Sequence, residues 1–314
     1  AMFLFAALPG VPTLYLAAVL GGLGNSVFHP ADLALLSNHV SARRLGHAFA
    51  MHGLGGSVGW VLAPLCVVPV AEVFGWRIAV ATAGALGSIV LCVLAMRPEL
   101  KVPVSPRSHS QALEQDVRLL LSLPVLRGFL FFALYAIGMM GFQTFAASAS
   151  AQLYQVSLLV ASGALSAFLI GNTLGIVAGG ALAARTQRHG GIVALAMGTG
   201  VALALMLAAG AVPLALLLPV TAALGFAIGS VGPSRDILIR ALAPHHARGK
   251  VYGFVYSGLD VGGFVGPIVY GLVLDRALGA WVFGIAAAFL ALAIPMLLGA
   301  QPASRQQTES LSDA

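Results

Sequence analysis

The sequence predicts an all-α polytopic membrane protein built from two copies of one helix bundle, and two observations carry that prediction. The first is composition. Apolar residues make up 59% of the 314 and charged residues only 8%, and mean hydropathy is +0.97, far from the usual make-up of a soluble domain. Apolar stretches recur at about 20 residues, the length that crosses a ~30 Å hydrocarbon core as a helix, without the short alternating pattern of a membrane barrel. The second is an internal repeat: residues 22–64 return without a gap at 225–267, an offset of 203. Gly22 falls on Gly225, Pro30 on Pro233, Gly46 on Gly249, Gly55 on Gly258, Gly59 on Gly262 and Pro64 on Pro267. Proline kinks a helix and glycine admits a second helix closely, so matches of these types mark a duplicated bent helix, basic loop and glycine-lined helix.

In chain order the expected spans are 11–37, 46–70, 77–96, 127–148, 158–183, 191–210, 214–239, 250–273 and 279–299. Residues 1–8, AMFLFAAL, are too short to cross and pair under the offset with 204–211, the end of the span 191–210. They read as the last turns of a helix whose beginning is absent. The counterpart of residue 127 falls about 76 positions before residue 1, so about two and a half further helices are expected upstream. The given chain then holds nine full spans plus a stump. Four parts are expected: 1–96, the remnant of a six-helix N-terminal half; 97–126, a connector; 127–299, a six-helix C-terminal half; and 300–314, a polar tail.

The basic residues fit this layout. Thirteen of the sixteen Lys and Arg fall on one side of it, among them Arg43, Arg44, Arg97, Arg127, Arg185, Arg188, Arg240, Arg248 and Lys250. By the positive-inside rule that side, with the connector and the tail, faces the cytosol. The formal charge of +6 therefore reports topology rather than nucleic-acid binding. In the connector, Pro98, Pro103 and Pro106 precede SQALEQDVRLLLSL, a short amphipathic helix suited to the membrane surface. Cys66 and Cys92 lie inside apolar spans and read as small packing residues. Arg43 is the first basic residue, so the start lacks the charged region of a secretory leader.

Ionisable groups within a bilayer are costly and usually line a wet path. Asp260 stands ten residues, about 15 Å of helix, from Lys250. It is the leading proton-coupling candidate, against the bland reading of a charge paired with an Arg. His29 and Asp32 are three apart, flank Pro30, and suit either a pH-sensitive gate or a satisfied polar pair. His52 is a second proton carrier or a packed histidine. Asp32 aligns with Arg235 across the repeat, so the two are expected to pair when the cytoplasmic side closes, with Asp236 competing for the Arg. Asn25, Gln143, Asn172 and Tyr256 are substrate-cavity candidates or helix-to-helix hydrogen-bonding groups. The series Gly171, Gly175, Gly179 and Gly258, Gly262, Gly266 put smooth stripes on helix faces, for close packing or for sliding. No paired-acid metal site and no nucleophile with its base stands in a polar loop, so neither a metal, a cofactor nor an enzyme is expected.

Six helices, a long cytoplasmic loop and six more resemble the major facilitator superfamily of secondary transporters over the whole chain. Gly180, Arg185 and Arg188 match the weaker copy of the loop motif of that family, with Ala184 where the acid would stand. Gly46, Gly55 and Gly59 match part of an exporter motif, with Trp60 in place of its proline, and Val27-Phe28-His29-Pro30 is similar to fosmidomycin-resistance-type efflux proteins. The resemblance implies a monomeric secondary transporter of the bacterial inner membrane that rocks its two halves around a central site. Proton-coupled efflux of a drug-like or metabolic compound is the leading expectation. The alternatives are proton-coupled uptake of a small organic anion, an inactive truncated chain, and a five-plus-five permease or membrane-embedded enzyme. A five-plus-five permease would repeat at about 150 residues, against the observed 203.

Overall fold

The computed structural model describes residues 1–8, 10–96, 109–244 and 247–300, and every regular element among them is helical. The N-terminal half comprises α1 (Met2–Ala7), α2 (Val11–Ser26), α3 (Phe28–His39), α4 (Ala42–Phe74) and α5 (Trp76–Ala95). A connector helix, α6 (His109–Leu120), leads into α7 (Leu123–Gln143), α8 (Ala146–Tyr154), α9 (Leu158–Arg185), α10 (His189–Ala208), α11 (Leu217–Leu242), α12 (Arg248–Leu274) and α13 (Gly279–Leu298). Eight helical stretches among the described residues are long and apolar enough to cross a membrane. The expected span 46–70 lies within α4, which at 33 residues is longer than any of them. The connector prolines and the tail 301–314 lie outside the described residues.

The expected span 11–37 is present as the membrane-length stretch Val11–His39, bent as expected because Pro30 lacks the N–H that Ser26's carbonyl would accept from and its ring crowds that carbonyl. A turn at Val27 (φ −90, ψ −15) separates α2 from α3. Another expected span is corrected. The stretch 127–148 ends early. The amides of both Thr144 and Phe145 donate to the Met140 carbonyl, at 3.0 and 3.3 Å, a widened turn that closes α7 and lets the chain restart as α8.

Pro233, the repeat partner of Pro30, sits inside an unbroken α11. The difference lies in packing. A Cβ at Gly171, Gly175 or Gly179 of α9 would run into the α11 backbone at Ala222, Phe226 or Ser230, and one at Gly225 or Gly229 would run into Phe168 or Asn172. Held backbone to backbone along this length, α11 stays continuous through Pro233 despite the lost hydrogen bond. α12 lies on α7 in the same way, with Gly258 and Gly262 against Phe129 and Ala133. The glycine stripes therefore lock helices together inside the C-terminal half. They are not the faces on which the two halves meet.

Phe131, Phe132, Phe142, Phe168, Tyr270 and Phe283 form the buried centre of that half. In contrast α2 and α5 bury little beyond Ala17 and Ala79 and expose Leu23, Leu86 and Val90, an apolar surface suited to lipid. The halves meet through α3 on α12 and through α4 on α9 and α11.

Candidate functional site

The polar residues of the seam are placed by a helical hairpin. α3 and α4 run antiparallel from the Val40–Ser41 turn, and His29 and His52 each lie ten residues, about 15 Å, from the helix end beside it. That register sets the two histidines at one depth, with Asp32 one turn from His29 on the same face. Asp32 Oδ2 lies 3.4 Å from His52 Nε2 and 3.8 Å from His29 Nδ1. The two imidazole rings stand edge to face, centroids 5.9 Å apart. His29 also packs on Tyr256 of α12, ring to ring at 5.6 Å, and the Tyr256 hydroxyl donates to Asp236 Oδ1 at 2.8 Å. Arg235 Nε donates to the same oxygen at 2.8 Å, while its guanidinium lies over Phe132 and Tyr135, 4.9 and 5.6 Å from the ring centres.

The expected Asp32–Arg235 pair is therefore not formed in this conformation. The carboxylate of the adjacent residue and two aromatic faces of α7 hold Arg235 inside its own half, and Asp32 turns to the histidines. The expectation of no metal-ligand set also changes, since His29, Asp32 and His52 present one ligand atom each within 4.8 Å of one another. Asp260 is exposed, two helical turns from Gly253, whose added Cβ would lie 3.4 Å from Pro30 across the seam. It makes no hydrogen bond or ion pair among the described residues. Of the four cavity candidates, Tyr256 alone makes a side-chain hydrogen bond among the described residues. Asn25 and Gln143 are exposed and Asn172 is half-buried against α11.

A second group, missed in the sequence, closes the seam at the end rich in basic residues. The last carbonyls of α3 have no partners within the helix and carry the negative end of its dipole. Arg240 Nη2 and Arg248 Nη1 each donate to the Ser37 carbonyl at 3.1 Å, Arg248 Nη1 donates to Asn38 Oδ1 at 2.6 Å, and the Ser37 and Tyr252 hydroxyls share a hydrogen bond of 2.9 Å. Ser37 and Arg240 are repeat partners, 203 residues apart. Equivalent positions do meet across the seam, five residues beyond Asp32 and Arg235. Lys250 of α12 also pairs with Asp116 of α6.

Along α4 the glycines differ in what a Cβ would meet. Gly46 lies against Ala183 and Ala184, so that its Cβ would be 3.0 Å from the Ala184 nitrogen, and Gly180 packs on Ala50. A Cβ at Gly53 would lie 3.3 Å from Ile176, and one at Gly55, Gly56 or Gly59 would meet nothing within 4 Å among the described residues. The motif glycines Gly46 and Gly180 thus cross-pack the halves, while Arg185 and Arg188 are exposed at the end of α9 and just beyond it.

Comparison with known proteins agrees with this layout. The family model described as Major Facilitator Superfamily matches twice, over residues 1–190 and 131–313. A curated relative, the multidrug efflux pump Tap of Mycolicibacterium fortuitum, is 33% identical over 134 residues. That match takes in 43% of this chain, and it spans only 31% of the relative's length. Among solved structures, a bacterial homologue of the iron transporter ferroportin in an outward-facing state superposes with a TM-score of 0.66 at 16% identity, covering 95% of this chain and 76% of that one. At that identity the likeness concerns the fold. With the family model matching from end to end, this chain belongs to the major facilitator superfamily and is a multi-pass membrane protein.

Proposed function

We propose that the chain is a secondary active transporter of the bacterial inner membrane that exports a drug-like or metabolic compound in exchange for protons. The observation that carries the reading is the graded seam: the halves are tied at Ser37 and Gly46, while a Cβ at Gly55, Gly56 or Gly59 would meet nothing within 4 Å among the described residues. This is the shape of one stage of alternating access, in which two bundles rock about a central site. The basic end is cytoplasmic by the positive-inside rule, so the C-terminal tail faces the cytosol and the conformation is closed to that side. The likeness to a multidrug efflux pump supports export as the direction. Asp260, without a hydrogen bond or ion pair among the described residues and on the α12 face that meets Pro30 two turns away, is the proton carrier of this reading. The His29–Asp32–His52 group is the second place where a proton can reside.

The test is flux in sealed vesicles of known orientation under an imposed pH gradient, using a panel of fluorescent lipophilic cations. Proton entry should drive the compound against the direction of the protons, and Asp260→Asn should lower that flux about tenfold or more while exchange of compound at equal pH persists. Accumulation in the same direction as the protons would establish uptake instead. Undiminished proton-driven flux in Asp260→Asn would remove that residue from the mechanism.

A further inference from the structure

We propose that His29, Asp32 and His52 form a binding site for a divalent transition-metal ion of the zinc type. The inference goes beyond proton-coupled transport and does not depend on it.

Three observations support the site. The first is convergence. A metal holding ligands at about 2.0–2.1 Å in a tetrahedron sets its donor atoms about 3.4 Å apart. Asp32 Oδ2 lies 3.4 Å from His52 Nε2 and 3.8 Å from His29 Nδ1, and all three donor atoms lie within 4.8 Å of one another, so two of the three separations already stand near that spacing and the third needs a small inward movement. The second is that these separations are too long or too poorly aligned to be hydrogen bonds. His29 Nδ1 and Asp32 Oδ2 are buried atoms with no hydrogen-bond partner. Buried polar atoms without hydrogen bonds are costly, and with both imidazoles neutral the ion pairs to Asp32 are lost as well, so a cation among the three donors would satisfy them. The third is the donor set. Two imidazoles and one carboxylate suit zinc, copper, nickel or cobalt and disfavour calcium and magnesium, which prefer oxygen donors throughout.

The surroundings allow the ion to enter and to be held. The His29, Asp32 and His52 side chains remain 43%, 21% and 27% exposed. The ends of α3 and α4 beside their turn are closed by the Ser37 contacts, so access is from the side where the halves part. Three protein donors leave a fourth position for water or for a donor atom of a transported compound, as in catalytic zinc sites. Tyr256, tied to Asp236, braces the His29 ring from the other half. Because the ligands come from both arms of the α3–α4 hairpin, a bound ion clips the hairpin and stabilises it by mass action. Binding also requires both histidines neutral and the carboxylate ionised, so it weakens as pH falls.

The decisive experiment uses the full chain, purified in detergent with its affinity tag removed, and titrates it with Co2+ alone and then Zn2+ alone. One equivalent of Co2+ is expected to give the strong visible absorption of a tetrahedral site, and Zn2+ should abolish that absorption and raise the melting temperature. Asp32→Ala, His29→Gln and His52→Gln, each first shown to elute as a folded species, should each weaken binding by at least about a hundredfold, more than the loss of an outer partner costs. Asp32→Cys provides a gain of signal: a thiolate at that position should restore tight binding and add a sulfur-to-cobalt charge-transfer band. Weak octahedral Co2+ spectra, or binding that the variants leave unchanged because it resides on other histidines, would overturn the proposal. No part of this readout involves transport, so failure of the flux measurements and failure of the metal site are separate results.

Discussion

Valine in place of Gly175 is expected to abolish the folded C-terminal half. An added Cβ there would overlap the carbonyl of Phe226, an atom of the α11 backbone rather than the movable end of a side chain. Overpacking against adaptable side chains costs about 1–3 kcal/mol. Here α9 and α11 must separate, which also forfeits the backbone contacts at Gly171, Gly179, Gly225 and Gly229. The loss therefore exceeds about 3 kcal/mol, a large part of the ~5–15 kcal/mol that a folded protein commands. The yield of monodisperse protein and its thermal midpoint in detergent measure the effect. Gly263→Ala is the matched control, since a Cβ there meets nothing within 4 Å among the described residues and alanine favours the helix by about 0.5–1 kcal/mol. Equal midpoints for Gly175→Val and the unaltered chain would refute the backbone-contact account.

Removing both Arg240 and Arg248 should open the basic end of the seam. Three hydrogen bonds from guanidinium groups to Ser37 and Asn38 are lost, and bonds to charged groups contribute about 1.5–3 kcal/mol each. Even half of that sum shifts a two-state balance by more than about tenfold. With Cys66 and Cys92 first replaced, a single cysteine at Ala50, which packs on Gly180, should react with a polar thiol reagent at least tenfold faster in the Arg240→Ala, Arg248→Ala background. Ser37→Ala should change the rate far less, because the arginines bind the backbone carbonyl of residue 37 and only the Tyr252 contact is lost. Labelling that is the same in all three backgrounds would mean that the arginines do not hold the seam closed.

Much of this architecture could be read from the residues, because length and apolarity dictate a span in lipid. The expected 250–273 and 279–299 became Arg248–Leu274 and Gly279–Leu298. What failed was local and depended on neighbours. Pro30 and Pro233 look alike in sequence, yet one interrupts its helix and the other does not, since only α11 is clamped by a glycine-faced partner. The repeat correctly indicated that equivalent positions approach one another. Attraction of opposite charge suggested Asp32 and Arg235, but an Arg next to an acid satisfies itself locally, and the actual meeting point uses a backbone carbonyl, which carries no signature in a string of side chains. The His29–His52 juxtaposition was legible in principle. Both lie eleven to twelve residues from the centre of the Val40–Ser41 turn, and a hairpin folded there sets them level.

Gly46, in close contact with α9, and Gly59, where a Cβ would meet nothing within 4 Å among the described residues, are thirteen residues apart, about 20 Å along one helix. If the halves rock as proposed, the tied end would act as a fulcrum and α4 as a lever arm. A tilt of about 10° carries the far tip through ~3.5 Å over that length, close to the thickness of an aromatic ring. On that proposal, a small movement near the tied end would become an aperture of molecular size at the far one.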